Sequence, residues 1–245
     1  MESASKDVLF TIAMDLDLPS LLRWCQSSSR VNKHVCNNSS VWRNKLIRDY
    51  PDYEKFNPDK SLKETYVFMY QLSLIRKLLD TNESLYDIFL RKRLDLSRKG
   101  LKKVPALDLP NLHVLHLSNN SLTKVPVFDL PNLRTMHLSN NLLTEVQALN
   151  LPNLQTLYLG NNLLTEVPVL NLPNLQKLFL NNNQLREVLS FNFPKLQYLY
   201  LDHNPLTEVP IFDLPDLQYL NLSNNLLTKQ DKIRVAQIYG NKVSV

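Results

Sequence analysis

Two histidines and a carboxylate recur at one interval: Asp95, His116 and His137 stand 21 residues apart. Imidazole with carboxylate is a ligand set that transition metals accept. The spacing argues against that use. On successive parallel strands the outer two Cβ atoms lie about 9.6 Å apart at ideal geometry. No fourth ligand is evident, and His113 has the opposite strand parity to His116. No metal is expected. The sequence shows no serine–histidine–acid set, glycine-rich phosphate loop or paired-cysteine motif. No catalytic residue and no cofactor are expected, and the chain is read as a non-enzyme. Cys25 and Cys36 fall in a segment that reads as helical, and are expected to be free thiols.

The interval continues past the histidines and suggests recognition instead. One column reads Asp95, His116, His137, Tyr158, Phe179, Tyr200, Asn221, and its neighbour reads Arg93, Val114, Thr135, Thr156, Lys177, Tyr198, Tyr219. Tyrosine-rich patches offer large contact area at low entropic cost. The candidate partner-binding residues are therefore His116, His137, Tyr158, Phe179, Tyr198, Tyr200 and Tyr219, on what should be a concave face. The alternative is that the rings only brace neighbouring strands, at about 0.2–1 kcal/mol per pair. An exposed apolar stripe is otherwise a solubility cost, which favours a partner.

What must position these residues is a phrase of fixed length. Leu109-Pro-Asn-Leu112 returns as Leu130-Pro-Asn-Leu133, Leu151-Pro-Asn-Leu154, Leu172-Pro-Asn-Leu175, Phe193-Pro-Lys-Leu196 and Leu214-Pro-Asp-Leu217. A constant period in this range means a solenoid of stacked units. The unit reads LPxLxxLxLxxNxLTxVPxxx, and its LxxLxLxxNxL core resembles the leucine-rich repeat, as in Leu112-His-Val-Leu115-His-Leu117-Ser-Asn-Asn120-Ser-Leu122. Alternation on a short strand turns Leu115 and Leu117 inward and His116 outward. Asn120, Asn141, Asn162, Asn183, Asn204 and Asn225 then form a structural ladder whose amides satisfy buried turn groups. A second Asx column, Asp108, Asp129, Asn150, Asn171, Asn192 and Asp213, is expected to cap convex-side turns. The first copy carries Lys99 at the ladder position, as suits a terminal repeat.

Charge is unevenly placed. Residues 1–103 carry 19 Lys/Arg against 13 Asp/Glu, and residues 104–245 carry 9 against 10, so the net values are +6 and −1. A nearly neutral repeat surface argues against nucleic acid. The densest basic run, Arg91 to Lys103, reads either as a solvated entry to the repeats or as a site for an acidic partner. No stretch is apolar and long enough to span a membrane. The opening residues show no secretory pattern, and an intracellular location is expected.

The N-terminal third follows a helical period. Leu9, Ile12, Ala13 and Leu16 form an amphipathic stripe, Asp17 or Ser20 can start a second helix through Cys25, and a third runs from Ser40 to Pro51. With Leu16-Asp-Leu-Pro-Ser-Leu-Leu22 at its centre and Val41-Trp42-Arg43 near its end, the segment resembles an F-box, of the kind that opens proteins of large DNA viruses. Lys6-Asp7-Val8 stands where that family opens with Leu-Pro. The resemblance implies a trihelical unit that docks the Skp1 subunit of a cullin-RING ubiquitin ligase. By it, Leu9, Ile12, Leu16, Leu18, Pro19, Leu22, Val41 and Trp42 would form the docking set. Alternatively, the three helices only cap the solenoid. A further helix opens on a Ser61–Glu64 capping box and carries Phe68, Leu72, Ile75 and Leu79. Asp231 to Tyr239 reads as an amphipathic helix stopped by Gly240.

The expected fold is α+β: an F-box-like helical segment over 1–60, a linker or capping helix over 61–90, parallel-strand repeats over 91–228 and a C-terminal capping helix over 229–245. The expected function is a protein-binding adaptor, the substrate receptor of a Skp1-cullin-F-box ligase. The alternative is a repeat scaffold with no ubiquitin connection.

Overall fold

A computed structural model describes residues 5–56, 60–147, 149–167, 170–188 and 193–245. The chain forms two compact units, Met1–Ile88 and Phe89–Val245.

The first unit is helical. Helix α1 (Lys6–Asp15) opens on Ser5, and α2 (Leu18–Ser27) opens on Asp17, whose carboxylate accepts the Ser20 N–H at 2.9 Å. Pro19 sits in the first turn of α2, where its missing N–H has no intrahelical partner to lose. A short α3 (Ser29–Val31) leads into a π-type turn at Asn32–Cys36, and α4 (Ser39–Asp49) follows behind an Asn38 cap. The three helices expected from sequence are α1, α2 and α4. The turn between them was not legible, and it has a consequence. It returns Cys36 to α2, so that Cys25 and Cys36, with Cα atoms 6.1 Å apart, form a disulfide. No free cysteine remains among the described residues. This corrects the expectation of free thiols. That expectation rested on compartment chemistry, whereas the fold brings the two Cα atoms within the range a disulfide requires.

A buried cation ties the unit together. Lys45 is 0% exposed, and its Nζ donates to the carbonyls of Leu16 at 2.8 Å, Met14 at 3.1 Å and Ala13 at 3.4 Å. These are the unsatisfied groups at the C-terminal end of α1, where the helix dipole also favours positive charge. Trp42 is buried beside it and donates its indole N–H to the Cys36 carbonyl at 2.9 Å. Helix α5 (Leu62–Leu79) opens on the Ser61–Glu64 capping box and buries Phe68, Leu72 and Ile75. Its Tyr66 ring lies 5.7 Å from Trp42 and 5.4 Å from Tyr50, and the Tyr66 hydroxyl donates to Asp49 at 2.6 Å. This packs α5 on α4. A short α6 (Leu85–Phe89) follows.

The second unit is the solenoid. In chain order its strands are β1 (Arg93–Asp95), β2 (Val114–His116), β3 (Thr135–His137), β4 (Leu149–Asn150), β5 (Thr156–Tyr158), β6 (Leu170–Asn171), β7 (Lys177–Phe179), β8 (Tyr198–Tyr200) and β9 (Tyr219–Asn221). All but β4 and β6 join one parallel sheet, and the register matches the repeat: Leu94, Leu115, Met136, Leu157, Leu178, Leu199 and Leu220 face one another in sequence. These residues are fully buried, as are Leu96, Leu117, Leu138, Leu159, Leu180 and Leu201 of the same repeats.

Each Leu-Pro-x-Leu phrase makes a tight turn that feeds the next strand. The Leu112, Leu133 and Leu154 N–H groups donate to the carbonyls of Leu109, Leu130 and Leu151 at 3.0 Å. Proline at the second turn position presets the required φ. Of the ladder asparagines, Asn141, Asn162, Asn183 and Asn204 are buried, and Asn120 and Asn225 at the two ends are half-buried. The Asn162 amide donates to Leu159 O at 3.0 Å and to Leu138 O of the preceding repeat at 3.1 Å, and its Oδ1 accepts Leu143 N–H at 3.1 Å. The residue just before each ladder position takes the left-handed conformation: Asn119, Asn140, Asn161, Asn182 and Asn224, with Arg98 and His203 at the same place, at φ 54 to 58°. Asparagine tolerates that region better than most side chains, which is why so few glycines suffice.

The second Asx column is revised in part. Asn150 and Asn171 lie in β4 and β6, which pair in parallel as a separate two-stranded sheet. They therefore continue a ladder instead of capping turns. Asn192 lies outside the described residues.

At the C-terminal end α7 (Lys229–Tyr239) opens on Thr228, which accepts the Asp231 N–H, and closes at Gly240 with φ 56°. Its Val235 is buried, Arg234 donates to Val209 O at 2.8 Å, and the Tyr239 hydroxyl accepts Phe212 N–H at 2.8 Å. The helix thus covers the last repeats. Beyond it, β10 (Val243–Ser244) returns to pair in parallel with β9. Sequence reading gave 229–245 to a helix alone, because a two-residue strand carries no period.

Asn162→Leu leaves the buried Leu143 N–H unpaired, at about 1–3 kcal/mol before relaxation, and takes one of two amide donors from each of the Leu138 and Leu159 carbonyls. Asn120→Leu, at the half-buried first rung, leaves groups that water can reach. Denaturant unfolding of both variants should show the larger loss at Asn162. Equal losses would refute a burial-driven ladder.

Candidate functional site

On the solvent side of the sheet the side chains of alternate strand residues form a continuous column of rings. His116 stacks on His137 with centroids 4.0 Å apart, His137 on Tyr158 at 4.3 Å, Tyr158 on Phe179 at 4.4 Å and Phe179 on Tyr200 at 4.6 Å, with interplanar angles of 14° or less. The strand spacing, close to the stacking distance of flat rings, imposes this arrangement. Outward placement alone would leave the rings exposed. They are half-buried, because each covers the faces of its neighbours and leaves its edge to solvent.

The second column completes the surface at its C-terminal end. Tyr219 tilts against Tyr200 at 5.4 Å, the Tyr198 hydroxyl donates to Gln218 Oε1 at 3.0 Å, and Lys177 Nζ lies 5.0 Å from the Tyr198 ring centre. Lys177 and Gln218 were not among the candidate residues. Their signal was present, since Lys177 heads the same repeat position as Tyr198. All seven candidates, His116, His137, Tyr158, Phe179, Tyr198, Tyr200 and Tyr219, share one face. A further asparagine row was also missed: the third residue of the Leu-Pro-Asn-Leu phrase donates backward, Asn132 to Pro110 O, Asn153 to Pro131 O and Asn174 to Pro152 O, each at 2.8 Å. The return of Asn at that position in four of the six phrases could have disclosed it.

The histidines do not converge on a common point. Their rings lie face to face, so their in-plane lone pairs run side by side, and Asp95 Oδ1 accepts Ser97 N–H at 3.0 Å and Ser97 Oγ–H at 2.6 Å. Among the described residues no group of three His, Cys, Asp or Glu side chains is placed to hold a metal ion. Burial first, then the neighbouring His116 and Arg93 charges, pushes His137 down to about 4. Burial and Arg93 likewise lower His116, against an opposing pull from Asp95, and its buried Nε2 has no hydrogen-bond partner.

The first unit holds the proposed docking set. Leu9, Leu18, Val41 and Trp42 are buried in its own core, Ile12, Leu16 and Leu22 are half-buried, and Pro19 is exposed. Four of the eight are therefore interior packing residues, because the three helices bury their apolar stripes on one another. A cavity of about 260 Å³ in this unit is lined by Asp49, Tyr50, Lys55, Phe56, Met69 and Arg76 among others. No helix among the described residues is long and apolar enough to cross a membrane.

The unfolded histidine takes up a proton near pH 6.5, whereas folded His137 does so near 4. Between these values the unfolded state binds more protons, so the contribution to stability is complete above pH 6.5, falls as the pH drops toward 4, and then levels. The thermal midpoint should decline across that window, with a smaller decline in His137→Phe. An NMR titration placing His137 at or above its ordinary value would contradict the stack.

Models of the leucine-rich repeat match residues 111–133, 131–172, 152–193 and 194–234. No curated protein sequence matches the chain significantly. Among solved structures, YopM from Yersinia enterocolitica is 28% identical with a TM-score of 0.53, covering 74% of this chain and 38% of that one. A leucine-rich-repeat protein of Leptospira interrogans is 27% identical with a TM-score of 0.48, covering 63% and 48%. InlP of Listeria monocytogenes is 23% identical with a TM-score of 0.46, covering 71% and 67%. The chain thus spans well under half the length of the Yersinia protein. Through the in-register rungs and the asparagine ladder of residues 111–234, it belongs to the leucine-rich-repeat proteins.

Proposed function

We propose that the chain is a non-catalytic adaptor that holds a protein partner on the ring-bearing face of the solenoid sheet. One observation carries this reading. The strand positions that face the core are occupied almost wholly by leucine, whereas the outward positions build an unbroken five-ring column whose edges remain in water. Rigid amphipathic rings on a flat scaffold provide contact area with little entropy to lose on binding. Stacking alone supplies about 0.5–1.5 kcal/mol per pair, so the rings also brace the sheet, and the two roles separate by measurement. Tyr158→Ala with Tyr200→Ala should reduce capture of the proteins retained by the parent chain by at least about tenfold, a loss of roughly 1.4 kcal/mol or more in binding. The accompanying stability loss should stay within the few stacking contacts removed. Unchanged capture with a collapsed melting transition would assign the rings to the ladder alone.

The finer reading is that the N-terminal helices dock Skp1, which would make the chain an intracellular substrate receptor of a ubiquitin ligase. It is supported by helices α1, α2 and α4 falling where the F-box resemblance requires them, and by Pro19, Ile12, Leu16 and Leu22 retaining exposure. Leu9, Leu18, Val41 and Trp42 would act by holding these in place. Co-purification of the folded chain with Skp1 at micromolar concentration tests it, with Pro19→Glu expected to weaken the complex. Absence of a complex would leave the repeat scaffold without a ubiquitin connection.

A further inference from the structure

We propose that the first rungs of the ring-bearing face take carboxylate side chains, so that the partner is a protein segment in which an acidic stretch adjoins an aromatic or aliphatic one. This rests on the adaptor reading above and specifies the chemistry of its partner. Three cations belong to that end, Arg93 on the outward face and two at the sheet margin. Arg93 lies on β1 and is close enough to act electrostatically on both His116 and His137. Lys92 and Arg134 stand at the sheet margin, one residue before β1 and β3, and all three are exposed. None of them forms an ion pair among the described residues. The one carboxylate on these strands, Asp95, accepts from Ser97 and lies within electrostatic reach of Arg93, so it offsets one of the three positive charges.

A column of glutamates is held elsewhere. Glu145, Glu166, Glu187 and Glu208 occupy one repeat position beyond the strand and the ladder asparagine, all of them exposed, and Lys124 pairs only with the first at 2.8 Å. Asp95 apart, the solenoid therefore keeps its glutamate column off the strands and cations on or beside the first rungs. An acidic segment is steered to the first surface and repelled from the second.

The rings favour the same partner. Their faces are consumed by mutual stacking, so the surface presents ring edges, which carry the positive part of the aromatic quadrupole. Nucleobases need free ring faces on which to stack, which makes a protein carboxylate the better match for the basic rungs. Farther along, Phe179, Tyr198, Tyr200 and Tyr219 offer apolar area to the rest of the segment.

The test is selection of a random peptide-display library on the full chain, on Arg93→Glu/Arg134→Glu and on Tyr158→Ala/Tyr200→Ala. The wild-type pool should be enriched in Asp and Glu beside aromatic residues or leucine. The leading peptide, fluorescein-labelled, should lose roughly tenfold in affinity on the arginine reversal, and again between low and about half-molar salt. The salt series on the wild-type chain keeps the proposal testable if the reversed variant fails to fold. A neutral or basic pool that still depends on Tyr158 and Tyr200 would overturn the acidic partner while sparing the binding face. A labelled single-stranded oligonucleotide that binds with the same arginine dependence would overturn it in favour of nucleic acid. No enrichment at all would remove the face and its partner together.

Discussion

Parallel stacking of a 21-residue unit creates one demand that every other feature of the solenoid must meet. Where the chain leaves each strand it turns sharply, and the turn is covered by the turns above and below it. Peptide groups buried in this way cannot reach water, and each one left unpaired costs a large fraction of a domain's net stability. The ladder asparagines answer this. Each amide serves the backbone of its own repeat and of the preceding one, as Asn141 does with Leu138 and Leu117. The residue must be asparagine because a single short side chain has to donate twice and accept once.

From that constraint the register follows. A ladder residue that bonds backward over one repeat admits no insertion, so strands align residue for residue from β1 to β9. Alignment in turn puts like on like. Leucines meet leucines on the inner side and build a dry wall, while on the outer side rings meet rings at 4.0 to 4.6 Å. The candidate recognition surface is thus a by-product of the same geometry that closes the core. Its electrostatics are also inherited from stacking: burial among neighbouring rings disfavours charge on the two imidazoles and leaves Arg93, Asp95 and the marginal cations to define the polarity of the first rungs.

The ends obey a different rule, since a terminal rung has a neighbour on one side only. At the C-terminal end α7 and β10 supply what a further repeat would have supplied, one bonding to the backbone at Val209 and Phe212 and the other satisfying the edge of β9. At the first rung the pattern decays: Lys99 replaces the ladder amide, and Arg98 holds a left-handed backbone that asparagine holds elsewhere. The neighbouring Asn120 compensates by accepting from both Lys99 N–H and Leu101 N–H at 3.0 Å.

Periodicity made the repeats, the inward leucines, the ladder and the identity of the outward columns readable from the chain alone, because a repeated unit states its own neighbours: position i must lie beside position i+21. The helices of the first unit were readable from caps and apolar spacing for the same local reason. What tertiary structure alone decided lies where neighbours are not stated by a period. The π-type turn that brings Cys36 to Cys25, the burial of Lys45 beneath the end of α1 and the return of Val243–Ser244 to the sheet all depend on segments meeting at separations no pattern encodes. The half-burial of the ring column belongs with them, since composition names the rings, but only packing sets how much of each one its neighbours cover.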